Sequence, residues 1–65
     1  NPILRGEEGT VTGAVSGEVL DATGRTVIEF AGEHWSAASM PSGCAVIRWQ
    51  TEDGVWHHSP VLIID

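Results

Sequence analysis

A chain of 65 residues is a single domain, and one of this size buries only about 60% of its unfolded surface, so it folds alone with little margin. With 42% apolar and 18% charged residues, disorder is excluded as the default. The formal charge of −6 comes from nine carboxylates against Arg5, Arg25 and Arg48, a balance that disfavours a phosphate backbone or an anionic membrane surface as a direct partner.

The chain opens at Asn1-Pro2 without a methionine, and residues 1–8 read as a flexible leader following a membrane segment, with the domain proper at 9–64. Glycine turn signals then recur at Ser16-Gly17, Thr23-Gly24, Ala31-Gly32, Ser42-Gly43 and Asp53-Gly54. Intervals of roughly 7 to 11 residues are those of an all-β sandwich or barrel.

Thr10 to Val15 alternates, with Val11, Gly13 and Val15 expected on one face, and Glu18 to Ala22 continues it past a bulge at Gly17. Thr26 to Phe30 turns Ile28 and Phe30 inward and Glu29 outward. Glu33 to Ala37 sets Trp35 and Ala37 against His34 and Ser36. Ala37 to Met40 offers one short turn before Pro41, the only candidate for helix.

Cys44 has no partner for an internal disulfide and, beside Ala45, Val46 and Ile47, reads as buried packing. Ala45 to Gln50 sets Ala45, Ile47 and Trp49 against Val46, Arg48 and Gln50. Val55 to Ile64 is the last strand, and Pro60, which lacks an N–H, must lie at an edge, a bulge or a strand end. Five strands with so little helix predict a small barrel of OB type, with the SH3-like barrel as the alternative. The long first strand, bent at Gly13 or Gly17, favours OB.

Motifs for chemistry are sparse. Neither GxxxxGK[ST] nor GxGxxG occurs. Ser59 follows His57-His58, but adjacent strand residues alternate faces, and no GxSxG elbow accompanies them. His34, His57 and His58 lack metal-ligand spacing; two imidazoles could meet across strands, with Glu33 or Asp53 as a further ligand, but solvent-facing histidines are the expected outcome. The pairs Glu7-Glu8 and Glu52-Asp53 read as solubilising acids of a leader and a turn. No enzyme activity, cofactor or metal is expected. The tryptophans could stack on bases as in single-strand-binding barrels, but without cations Trp35 and Trp49 read as core or core edge. Trp56 is expected on the outer surface, and Trp56, His57 and His58 together are the expected protein contact.

Gly32-Glu33-His34-Trp35-Ser36-Ala37 resembles the G-E-x-W-x-A element of the soluble C-terminal domain of NfeD-like membrane proteins. Gly6 and Gly9-Thr10-Val11-Thr12 match the glycine-led first strand of that family. Gly24 to Ile28 matches the strand entering the motif, and Pro41-Ser42-Gly43-Cys44-Ala45-Val46-Ile47 the glycine and strand that follow. The likeness runs from about Gly6 to Leu62. Ser36 stands where the family usually has an acid, and Ala22-Thr23 where a proline often precedes the glycine. The resemblance implies a non-catalytic OB-fold domain tethered to transmembrane helices at the cell membrane, its cytoplasmic face favoured. It further implies stomatin- or flotillin-like (SPFH) partners and a bearing on membrane protease activity, although nothing here resembles the family's protease domain. Gly32, Glu33, Trp35, Ala37 and Gly43 would be its motif and core residues. A single-stranded nucleic-acid-binding OB domain is the alternative.

Overall fold

The computed structural model describes residues 2–65. Its strands are β1 (Pro2–Leu4), β2 (Glu8–Thr10), β3 (Ala14–Leu20), β4 (Thr26–Ala31), β5 (His34–Ser36), β6 (Gly43–Thr51) and β7 (Trp56–Ile64), and no described residue is helical. Five form one sheet in the order β1-β7-β6-β3-β4, while β2 and β5 form a separate antiparallel ladder. The protein is therefore all-β, as the sequence predicts.

The closed barrel is not: among the described residues the main sheet is open, with β1 and β4 as its outer strands. The cause lies in one bent hairpin with arms at 8–20 and 26–36. Its outer half pairs Ser16 with Ala31 through Val19 with Ile28, and its inner half pairs Thr10 with His34 through Glu8 with Ser36. Between these halves the first arm spends five residues (11–15) where the second spends two (32–33). The surplus swings β2 and β5 out of the main sheet, and β5 pairs with β2 instead of joining β7.

This corner also corrects the expected alternation of the first strand. Val11 is buried, Gly13 sits in an exposed turn and Val15 is exposed, so these three do not share a face. The bulge falls at Val15, where the register between β3 and β6 shifts, and β3 runs unbroken through Gly17. The expected leader is paired where it is described. Pro2, Ile3 and Leu4 lie parallel to Leu62, Ile63 and Ile64 of β7, while Asn1 lies outside the described residues.

Period-two alternation places the core on one face of the sheet. On β6 and β7, Ala45, Ile47, Val61 and Ile63 turn inward, joined by Val19 of β3. Two rows cross the sheet in register: Ile28, Val19, Ile47 and Ser59, then Phe30, Gly17, Trp49 and His57. In the second row a Cβ at Gly17 would meet the Phe30 ring and the Arg48 carbonyl, both at 2.5 Å, so the glycine makes room for the aromatic beside it. Trp49 stacks on His57 with ring centroids 5.5 Å apart. The β2–β5 ladder caps this core with Trp35, only 4% exposed, whose indole lies where a Cβ at Gly9 would be.

Cys44 is exposed, against the expectation of buried packing. The strand's own period explains it: if Ala45 and Ile47 face in, Cys44 and Val46 face out. Ala37 to Met40 is a turn, closed by the Met40 N–H donating to the Ala37 carbonyl at 3.1 Å, and it drops the Met40 side chain into the core.

Both tight hairpins close alike. Gly24 (φ +88°) and Gly54 (φ +84°) take the left-handed position of a three-residue loop. An aspartate organises each loop. Asp21 Oδ1 accepts from the Thr23 hydroxyl (2.5 Å), the Thr23 N–H (2.9 Å) and the Arg25 N–H (3.1 Å). Asp53 Oδ1 accepts from the Thr51 hydroxyl (2.5 Å) and the Val55 N–H (3.1 Å).

Candidate functional site

The six-residue motif around Trp35 is the clamp of the corner. Gly32 N–H donates to the Val15 carbonyl at 2.7 Å, and the Glu33 carbonyl accepts from Val11 N–H at 2.7 Å. Glu33 Oε2 takes the Gly13 N–H at 2.6 Å, so this carboxylate ties the two arms together where their lengths differ. Trp35 fills the core, and fully buried Ala37 donates its N–H to the Glu7 carbonyl at 3.0 Å. Gly43 opens β6. Gly32, Glu33, Trp35, Ala37 and Gly43 thus each have structural work.

The three aromatics of the last strand separate. Trp56 and His58 share the outer face of the sheet with Arg48 and Gln50, whereas His57 lies on the inner side, stacked on Trp49. Trp56 is 49% exposed, and the Arg48 guanidinium sits 5.0 Å above its ring centre. Arg48 is also paired with Glu18 at 2.7 Å, so the outer face carries a Glu18–Arg48–Trp56 chain across three elements. Val46 lies further along this face, while Val61 faces the core.

Beyond that chain the outer face turns apolar. Val46, Leu62, Ile64 and Leu4 are exposed and occupy neighbouring positions of β6, β7 and β1. Leu20, Cys44, Val46 and Pro60 line a shallow hollow of about 390 Å³ on this side. No second layer covers it among the described residues. Sequence reasoning missed the patch because it counted strands singly. The signal was present in Val61-Leu62-Ile63-Ile64, an unbroken apolar run on a strand, which puts apolar side chains on both faces.

A second concavity, about 560 Å³, lies at the seam where the barrel would have closed. Glu7 to Val11 form one wall, Ser59 to Val61 with Pro2 and Ile3 the other, and Trp35, Ile47 and Trp49 the floor.

The histidines weighed as ligands lie on β5 and β7. His34 is on β5 with Nδ1 3.3 Å from the Thr10 hydroxyl, and His57 Nε2 is 3.4 Å from the Thr51 hydroxyl. No three His, Cys, Asp or Glu residues gather among the described residues. Ser59 Oγ donates to the neighbouring Pro60 carbonyl at 3.4 Å and meets no base. Two carboxyls are held below the ordinary value of 3.8. Asp21 is lowered chiefly by the Thr23 hydroxyl and then by the Arg25 N–H, and Asp53 by the Thr51 hydroxyl and then the Val55 N–H. Both serve turns.

Compared with protein-family models, with curated proteins and with solved structures, the chain matches none.

Proposed function

We propose that this chain is a non-catalytic protein-interaction domain whose docking surface is the outer face of the main sheet. The observation that carries the reading is the uncovered cluster of Leu4, Val46, Leu62 and Ile64, with Trp56 on the same face beyond the Arg48–His58 row. Contiguous exposed apolar side chains on a small domain mark an interaction site, and an aromatic at the margin suits a contact anchor.

The sequence resemblance to NfeD-like domains extends this proposal. On that reading the domain is of OB type, belongs to a membrane protein at the cytoplasmic face of the cell membrane, docks a stomatin- or flotillin-like partner and bears on membrane protease activity. A first arm that is long, bent and shared between two ladders supports the OB relationship. Arg48, the cation beside the exposed tryptophan, is engaged by Glu18, which argues against base stacking backed by free cations.

Co-purification of the intact protein from membranes tests the proposal. The expected result is capture of an SPFH-type companion by the native protein and its loss in Val46→Asp and Leu62→Asp, with the fold retained by circular dichroism. Equal capture by both variants would refute docking on this face. Saturable quenching by single-stranded oligonucleotides at low salt would favour the nucleic-acid alternative.

A further inference from the structure

The seam groove has walls of a particular kind: both are strand edges that carry main-chain groups without a partner among the described residues. On β7 the ladder fixes which groups these are. The Thr51 N–H donates to the Val55 carbonyl, so the hydrogen-bonded pairs with β6 recur at Trp49 with His57, Ile47 with Ser59 and Ala45 with Val61. Trp56, His58 and Pro60 fall between them and direct their main-chain groups away from β6; Pro60 lines the groove, and His58 and Trp56 continue the same edge beyond it. Among the described residues, strand β1 takes up this edge only from Leu62 onward.

The opposite wall has the same property. Val11 N–H to Glu33 and Ala37 N–H to Glu7 make Gly9 with Trp35 the hydrogen-bonded pair between them. Glu8 and Thr10 therefore turn their N–H and C=O groups away from β5. An edge with unpaired groups is a template for another strand. Pro60 removes one donor from the β7 edge without costing β6 a bond, since its nitrogen lies on the open side.

Charge selects the occupant. The groove lining holds Glu7 and Glu8 and no Lys, Arg or His, within a chain of formal charge −6. Its floor offers Trp49 and Ile47, with buried Val61 beside them. We propose that this groove binds an extended peptide with alternating cationic and apolar residues, added as a strand to the open edge of β7 with its cations against Glu7 and Glu8. Main-chain bonds would supply affinity, and the groove's charge and apolar floor the choice of sequence. This site is distinct from the outer docking face and does not depend on it.

The test is a titration of the ¹⁵N-labelled chain with the peptide acetyl-Lys-Val-Lys-Val-Lys-Val-Lys-amide, beside the same peptide with Glu for every Lys. The expected result is saturable binding of the cationic peptide only, with slowed amide exchange at Trp56, His58, Glu8 or Thr10. Glu7→Gln combined with Glu8→Gln should weaken binding roughly tenfold, since two partly solvated ion pairs are lost. Glutamine keeps the oxygen with which Glu7 accepts the Leu4 N–H at 2.9 Å, so the local turn survives. Pro60→Val, which restores an outward donor, should tighten binding a few-fold, a gain that a folding defect cannot mimic. Val46→Asp on the outer face should leave it unchanged, which separates this site from the proposed docking surface. Equal binding of the anionic peptide, shifts confined to Leu4, Val46, Leu62 and Ile64, or no binding at millimolar peptide would each overturn the proposal.

Discussion

The β6–β7 hairpin and the β2–β5 ladder form facing walls of one groove, yet they are held in different ways. The first pairs continuously from Gly43 with Ile63 to Gln50 with Trp56 and ends in a tight loop. Its stability is spread over many equivalent bonds, and its alternation repeats along the whole length. The second ladder pairs only Glu8 to Thr10 with His34 to Ser36. It persists through single side chains: Trp35 laid over Gly9, and the Glu33 carboxylate on Gly13. A long ladder tolerates the loss of any one residue, whereas a short one depends on particular residues.

The largest effect should therefore come from Trp35→Ala. Removing a core tryptophan costs about 3–5 kcal/mol, and a domain this small has little more than that in reserve. Chemical denaturation is expected to find the variant largely unfolded in buffer. Trp49→Ala, on the long ladder and half-buried, should remain folded. If the two variants lost equal stability, the contrast between the ladders would be wrong.

Gly9→Ala should come next, at about 1–3 kcal/mol, because the new methyl group overlaps an indole that the core prevents from moving. Here the cost arises from space, since Gly9 is not among the glycines with positive φ. A midpoint shift in urea without a change in slope would measure it. Glu33→Ala should cost less, about 1 kcal/mol, since it removes one charge-assisted bond to an exposed N–H. Its sharper signature is local: amide exchange should quicken at Val11 and Trp35 while β6 and β7 keep their protection.

The same contrast explains what the sequence discloses. Ala45 to Gln50 alternates, so its inward and outward sides can be read directly; in β4, Ile28 and Phe30 face in and Glu29 out as read, but a register slip at Val27 packs that residue against the core as well. Trp35 and Ala37 were legible as core for the same reason. The corner at 11–15 was not. Val11, Gly13 and Val15 keep a period of two, and only pairing with the shorter arm at 32–33 shows that the strand must break there. Whether the sheet closes was not legible for a related reason: it depends on which distant edges meet, and local alternation carries no information on that. Of the surfaces, Trp56 was readable as exposed, but its association with Arg48 and Glu18 depends on the β3–β6–β7 register. The groove carboxylates Glu7 and Glu8 read as solubilising acids because the seam that collects them exists only in three dimensions.

The smallest effect tests the long ladder at its loop. Thr51→Val removes the hydroxyl that contributes most to holding Asp53 below 3.8, leaving the Val55 N–H as the main remaining donor. The Asp53 midpoint should rise toward its ordinary value in a carboxyl-detected NMR titration, while Asp21, in the other loop, keeps its own. The sign for stability follows from the direction of the shift. A carboxyl whose folded pKa lies below its unfolded value stabilises the fold above the unfolded pKa, and that contribution fades as pH falls through the folded one. The native chain should thus lose this contribution only below about pH 4, near the unfolded carboxyl value, and the variant should show a weaker dependence in the same window. Since Asp53 is solvent-exposed, the change belongs to the loop and not to the ladder. An unchanged Asp53 midpoint would mean that the Val55 N–H alone organises the turn, and the hairpin would then owe even less to any single side chain.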